Sequence, residues 1–174
     1  MSAMRSHWSG KKQINSAFHL KRQISITKQA SHSIEQCVLE ANDNYEVGGV
    51  LLGYNWGRIY FIVAVTTPNK NENSSRVSFL LDGIEHSRKV SDIMSSFACP
   101  PSVLGIWHSH ICDGLRFSEQ DKTSNKILAK SLGGALSMLV IDHANVVAFS
   151  TYYISTTGVE TRCRTTVCSR IKGR

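Results

Sequence analysis

The chain has 174 residues, 41% of them hydrophobic and 8% aromatic, which suffices for one buried core and excludes a disordered tail, a collagen or a disulfide-stapled miniprotein. Its formal charge of +7 resolves into two basic ends: residues 1–30 carry six basic and no acidic side chains and residues 161–174 carry five and none, while the stretch between holds nine basic against thirteen acidic. The body is therefore net acidic, the basic pI belongs to the ends, and nucleic acid is not expected as a partner.

In chain order, a basic lead-in is followed by a loosely alternating segment, Phe18 to Ile26, that predicts a first strand. From Ser31, the spacing of Ile34, Cys37, Val38 and Ala41 predicts an amphipathic helix ending near Asn42–Asn44. Glu46 opens the run E-V-G-G-V-L-L-G, and Ile59, Phe61, Val63 and Val65 alternate with period two. The turn residues Asn55–Gly57 join these two runs as a hairpin. A polar loop over 69–75 and a short strand from Val77 to Leu81 are expected next. Val90, Ile93, Met94 and Phe97 then form a second helical stripe, closed by Cys99-Pro100-Pro101.

Val103 to Trp107 reads as a buried strand that runs straight into His108-Ser109-His110. A third helix over about Ser118 to Leu132 and two strands, Ala135–Ile141 and Val146–Ile154, complete the order. The fold class predicted is α/β or α+β, with one mixed sheet flanked by helices in a single domain. The chain divides into a basic lead-in and first strand (1–27), the domain proper (28–155) and a basic carboxy-terminal tail (156–174). The longest apolar run, Tyr60 to Val65, is far short of the roughly 20 residues a membrane-spanning helix needs, and no secretory signal is read at the amino terminus. A cytoplasmic protein is expected. Its five scattered cysteines, Cys37, Cys99, Cys112, Cys163 and Cys168, contain no C-x-x-C pair and suit reduced thiols.

Chemistry concentrates in one string. Side chains two apart on a strand project to the same face, so His108 and His110 can share a metal ion. Ser118 and Asp121, one helical turn apart, complete H-x-H-x7-S-x2-D, and two histidines with one carboxylate form a zinc ligand set that leaves a fourth position open. Peptide hydrolysis at such a centre also needs a proton carrier that does not ligate the ion. Glu46 is a candidate that distance along the sequence neither supports nor excludes. Taken singly, each residue has a plain structural role: Ser118-x-x-Asp121 as a helix capping box, Glu46 as a solvated charge, Gly48-Gly49 as a bulge. Asp142-His143 reads as a turn with no metal role.

The string His108 to Asp121, preceded by Gly105-Ile106-Trp107 and paired with E-x-G-G-x-L-L-G at Glu46 to Gly53, resembles the JAMM motif of the JAB/MPN metallopeptidases. The resemblance runs over roughly 28 to 155. It implies a zinc isopeptidase cutting after the C-terminal tail of a ubiquitin-like protein, with one Zn2+ held by His108, His110 and Asp121. Glu46 would be the general base and acid, and Ser118 the group that orients water and stabilises the oxyanion. The small size is most similar to bacterial members found beside E1- and E2-like enzymes, including the deconjugating peptidases of CBASS antiphage operons. Alternatives within the resemblance are a peptidase processing a sulfur-carrier protein, a catalytically silent MPN scaffold and a RadC-type protein, although residues 1–30 are too short for the helical DNA-binding region of the last. Ile111 stands where the family commonly has proline, and Cys112 follows it.

Overall fold

A computed structural model describes residues 22–41, 45–68, 83–111, 116–143 and 146–168. Its elements are β1 (Gln23–Thr27), α1 (Lys28–Ala41), β2 (Gly48–Trp56), β3 (Ile59–Val65), α2 (Gly83–Ser95), β4 (Ser102–His110), α3 (Glu119–Leu132), β5 (Ala135–His143), β6 (Val146–Ile154) and β7 (Glu160–Cys168). The expected hairpin is β2–β3, antiparallel and turned at Gly57, whose φ of 68° favours glycine. Helix α1 begins three residues before the expected Ser31, because Thr27 Oγ1 accepts the N–H of Ala30 at 3.2 Å and so caps it. Phe18 to Lys21, residues 42–44, the loop 69–75, the strand expected over Val77 to Leu81, and Cys112 with Asp113 and Gly114 lie outside the described residues.

The seven strands close into a barrel in the order β1-β3-β2-β4-β5-β6-β7. It is a mixed sheet, as expected: β1 runs parallel to β3 and to β7, and β4 parallel to β5, the other pairs being antiparallel. Closure corrects the expectation of a basic tail over 156–174, because β7 lies inside that stretch and joins β6 to β1. Charge hid the strand. Arg162 and Arg164 occupy exposed positions while the intervening Cys163 is buried, so the basic residues mark one face of a pleated element. Burial raises the Cys163 thiol pKa, and Cys37, Cys99, Cys163 and Cys168 form no disulfide.

Two apolar layers hold the helices. The stripe Ala30, Ile34, Val38 and Ala41 of α1 shares one core with Ile24, Ile26, Leu51, Ile62, Trp107, Leu136, Met138 and Val140, which sets α1 against the inner face of the curved sheet. On the other face Ala129 of α3 packs with Phe117, Ala135, Leu139 and Ile154. Alternate residues of β5 thus serve opposite layers, which is why its sequence is apolar almost throughout. No helix among the described residues is long and apolar enough to cross a membrane.

Strand β4 breaks the alternation, and the break positions the histidines. Leu104 and Trp107, an odd number of residues apart, both belong to the inner core. The register explains this: Leu51 pairs with Gly105 but Leu52 with Val103, so Leu104 is an extra residue in a β-bulge. After the bulge Trp107 faces inward, and His108 and His110 fall on the face that carries α3. Gly105 has φ 156°, and a Cβ there would collide with the Leu136 backbone. Gly105→Ala is therefore expected to destabilise the protein by about 1–3 kcal/mol through forced overpacking, read as a lower urea midpoint at unchanged slope.

Candidate metal centre

The centre is assembled from β4, the amino terminus of α3 and the residue ahead of β2. His108 and His110 project together from the end of β4, with Nε2 atoms 3.1 Å apart. His108 is 5% exposed and lies against the Phe117 ring, which packs edge-on against Tyr152. Asp121 reaches both imidazoles, its Oδ1 3.4 Å from His108 Nε2 and its Oδ2 3.5 Å from His110 Nε2.

Asp121 is aimed by the helix start. Ser118 is the N-cap of α3, in extended backbone at φ −65° and ψ 167°, and its Oγ accepts the Asp121 N–H at 3.1 Å. In return Asp121 Oδ2 accepts from the Ser118 N–H at 2.8 Å and from its hydroxyl at 2.7 Å. The plain and the chemical readings of S-x-x-D therefore coexist: the capping box is present, and it fixes the carboxylate that faces the histidines. Burial pushes the Asp121 pKa up, but hydrogen bonds from His108, His110 and Ser118 outweigh it and hold the carboxyl well below the usual aspartate range.

Glu46 arrives by strand register. Gly48 pairs with His108 across β2–β4, and the Ser109 N–H donates to the Val47 carbonyl at 2.7 Å, so the chain ahead of Gly48 runs beside the end of β4 and brings Glu46 within charge range of His110. Its half-buried carboxyl is raised in pKa by desolvation, a shift that His110 and His108 oppose and Asp121 reinforces. The carboxyl thus lies within charge range of all three cluster residues. Gly48, across from His108, puts no side chain on that side of the pair. Gly49 is required by the close approach of the Thr66 backbone and the Trp107 indole.

The donor set fits a cation. Among the described residues, one cluster of at least three metal-ligating side chains occurs, His108, His110 and Asp121, with one donor atom from each within 4.8 Å of the others. Tetrahedral zinc with bonds of about 2.0–2.1 Å needs donor–donor edges of about 3.3 Å. The two Nε2 atoms, 3.1 Å apart, lie near that edge, and Asp121 approaches each of them through a different oxygen, at 3.4 and 3.5 Å. Two imidazoles and one carboxylate could hold such an ion and leave its fourth position open.

The four residues of the string, His108, His110, Ser118 and Asp121, meet at one place, and Glu46, the separate candidate, lies within charge range of the three that could ligate. Asp142 and His143 end β5, paired with Val147 and Val146, rather than forming the expected turn. Phe117 and Ser109 were not foreseen as parts of the site. An apolar residue just ahead of a helix cap is the only sign of the first in the sequence, and the second has none beyond its place between the histidines.

A family model described as prokaryotic homologs of the JAB domain matches residues 28–164. The fold is shared with the solution structure of a protein from Desulfitobacterium hafniense, 21% identical, with a TM-score of 0.67 over 86% of this chain and 95% of that one. No curated protein matches the sequence.

Proposed function

The chain belongs to the family of prokaryotic homologs of the JAB domain, and on that premise we propose that it is a zinc-dependent peptidase or isopeptidase. The observation that carries the reading is the meeting of His108, His110 and Asp121 within 4.8 Å, with the Glu46 carboxyl in charge range of all three. When bound, zinc would supply Lewis acidity, polarising the scissile carbonyl and acidifying water. His108, His110 and Asp121 would hold the ion, and the capping box keeps Asp121 in place for it. Glu46 takes the proton of the attacking water and passes it to the leaving amine, a task suited to a carboxyl whose pKa desolvation has raised. Ser118 exchanges the bond from its hydroxyl to Asp121 for one to the oxyanion.

The substrate class we propose is an amide at the C-terminal tail of a ubiquitin-like protein, or of a target conjugated by bacterial E1- and E2-like enzymes, as in CBASS-type deconjugation in the cytoplasm. The complete set of ligands and proton carrier favours an enzyme over a silent scaffold. The test is zinc content by plasma emission beside cleavage of a linear fusion of a ubiquitin-like domain to a reporter. The expected result is about one ion per chain and cleavage after the tail that a chelator abolishes and zinc restores. Protein without bound zinc, or with cleavage indifferent to chelation, would rule the reading out.

A further inference from the structure

Ser109 lies between the two metal-facing histidines but turns to the other side of β4, where it is 5% exposed. Its hydroxyl oxygen accepts the Val47 N–H at 2.9 Å, and its own N–H donates to the Val47 carbonyl at 2.7 Å. Residues facing each other in a hydrogen-bonded antiparallel pair ordinarily exchange two main-chain bonds, so the Ser109 carbonyl is the regular acceptor for Val47 N–H. Here the side chain stands in for it. The substitution falls just before β2 begins at Gly48, one residue from Glu46.

We propose that Ser109 is a positioning residue for Glu46, its hydroxyl fixing the Val47 amide and with it the backbone that aims the adjacent carboxylate. The proposal rests on the reading of Glu46 as proton carrier. Without the hydroxyl, the buried Val47 N–H loses its acceptor and the backbone it anchors relaxes, which shifts residue 46 relative to His110. The ligand triad is untouched by this, because the His108 and His110 side chains leave β4 from the opposite face. Loss of the bond therefore separates proton transfer from metal binding.

The test compares Ser109→Ala, Ser109→Cys and Ser109→Thr with wild type in zinc content, kcat and KM on the fusion substrate, and hydrogen exchange of the Val47 amide. Ser109→Ala is expected to keep its zinc and a KM within about twofold of wild type while kcat falls by about tenfold or more, the cost of a displaced proton carrier. Its Val47 amide should exchange about tenfold faster, since the partner that protected it is gone. Ser109→Cys, similar in shape with a weak sulfur acceptor, gives a second removal of the bond should alanine disturb folding. Ser109→Thr retains the hydroxyl and should restore kcat to within about threefold of wild type. Wild-type kcat or unchanged Val47 exchange in both Ser109→Ala and Ser109→Cys overturns the proposal, as does kcat lost only in step with zinc. A wild type that holds no zinc and cleaves nothing overturns the parent reading, and this one with it.

Discussion

Glu46→Ala and Glu46→Gln are expected to retain zinc at the wild-type level while cleavage of the fusion substrate falls by about 10²–10⁴-fold, the range a positioned general acid or base contributes. The separation follows from geometry. Glu46 is outside the cluster of donor atoms, and each of His108, His110 and Asp121 has its place fixed by β4 or by the α3 cap without help from residue 46. Removing the carboxyl takes away the group that carries the proton and leaves the ion's donors as they were. Glutamine preserves the shape and tests the charge alone, so the two variants should fall together; a much milder loss for glutamine would assign residue 46 to packing. Because burial raises the Glu46 pKa and the histidines lower it, an approaching substrate that excludes water should raise it further. A variant that lost zinc in parallel with activity would make Glu46 a ligand and not a proton carrier, and would end the division of roles proposed for this site.

Periodicity made most of the fold legible because the layers are simple. The stripe of α1 and the alternation of β3 each report one buried face, and the nearly continuous apolar run of β5 reports two. The closure of the barrel was not legible, since β7 mixes arginines with threonines and a single buried cysteine, and its pairing partner β1 is more than a hundred residues away. Local pattern carries no information about a contact of that range. The bulge at Leu104 escaped for a related reason: it is defined by register against β2, and only Gly105 marks it in the sequence. Even so, the site was more legible than the topology. Ligands need side chains of fixed chemistry at fixed offsets on one strand and one helix, and those offsets are written locally in H-S-H and S-x-x-D. The placement of Glu46 is not written locally and depends on the β2–β4 pairing, which brings the residues ahead of Gly48 to the end of β4.

Asp121→Ala is expected to lose zinc and cleavage together, because it removes one of three donors and leaves two imidazoles that compete poorly with water for the ion. It also breaks the reciprocal half of the α3 capping box, so the metal-free variant should unfold about 0.5–2 kcal/mol more easily, as for other lost helix caps. Asp121→Asn separates the two effects: its side-chain oxygen can still accept from the Ser118 N–H, but it carries no charge to hold the ion or the histidines. Zinc should be lost from both variants, and the stability of the asparagine variant should lie closer to wild type. The pH dependence has a definite sign. The folded carboxyl of Asp121 has a lowered pKa, so in the metal-free protein its contribution is complete above the ordinary aspartate pKa and fades as pH falls toward the folded value. The stability gap between wild type and Asp121→Asn, measured by urea unfolding, should therefore be widest near neutrality and narrow through the acid range. Zinc retained at the wild-type level by Asp121→Ala would remove the carboxylate from the ligand set, and the two histidines alone do not make the centre proposed.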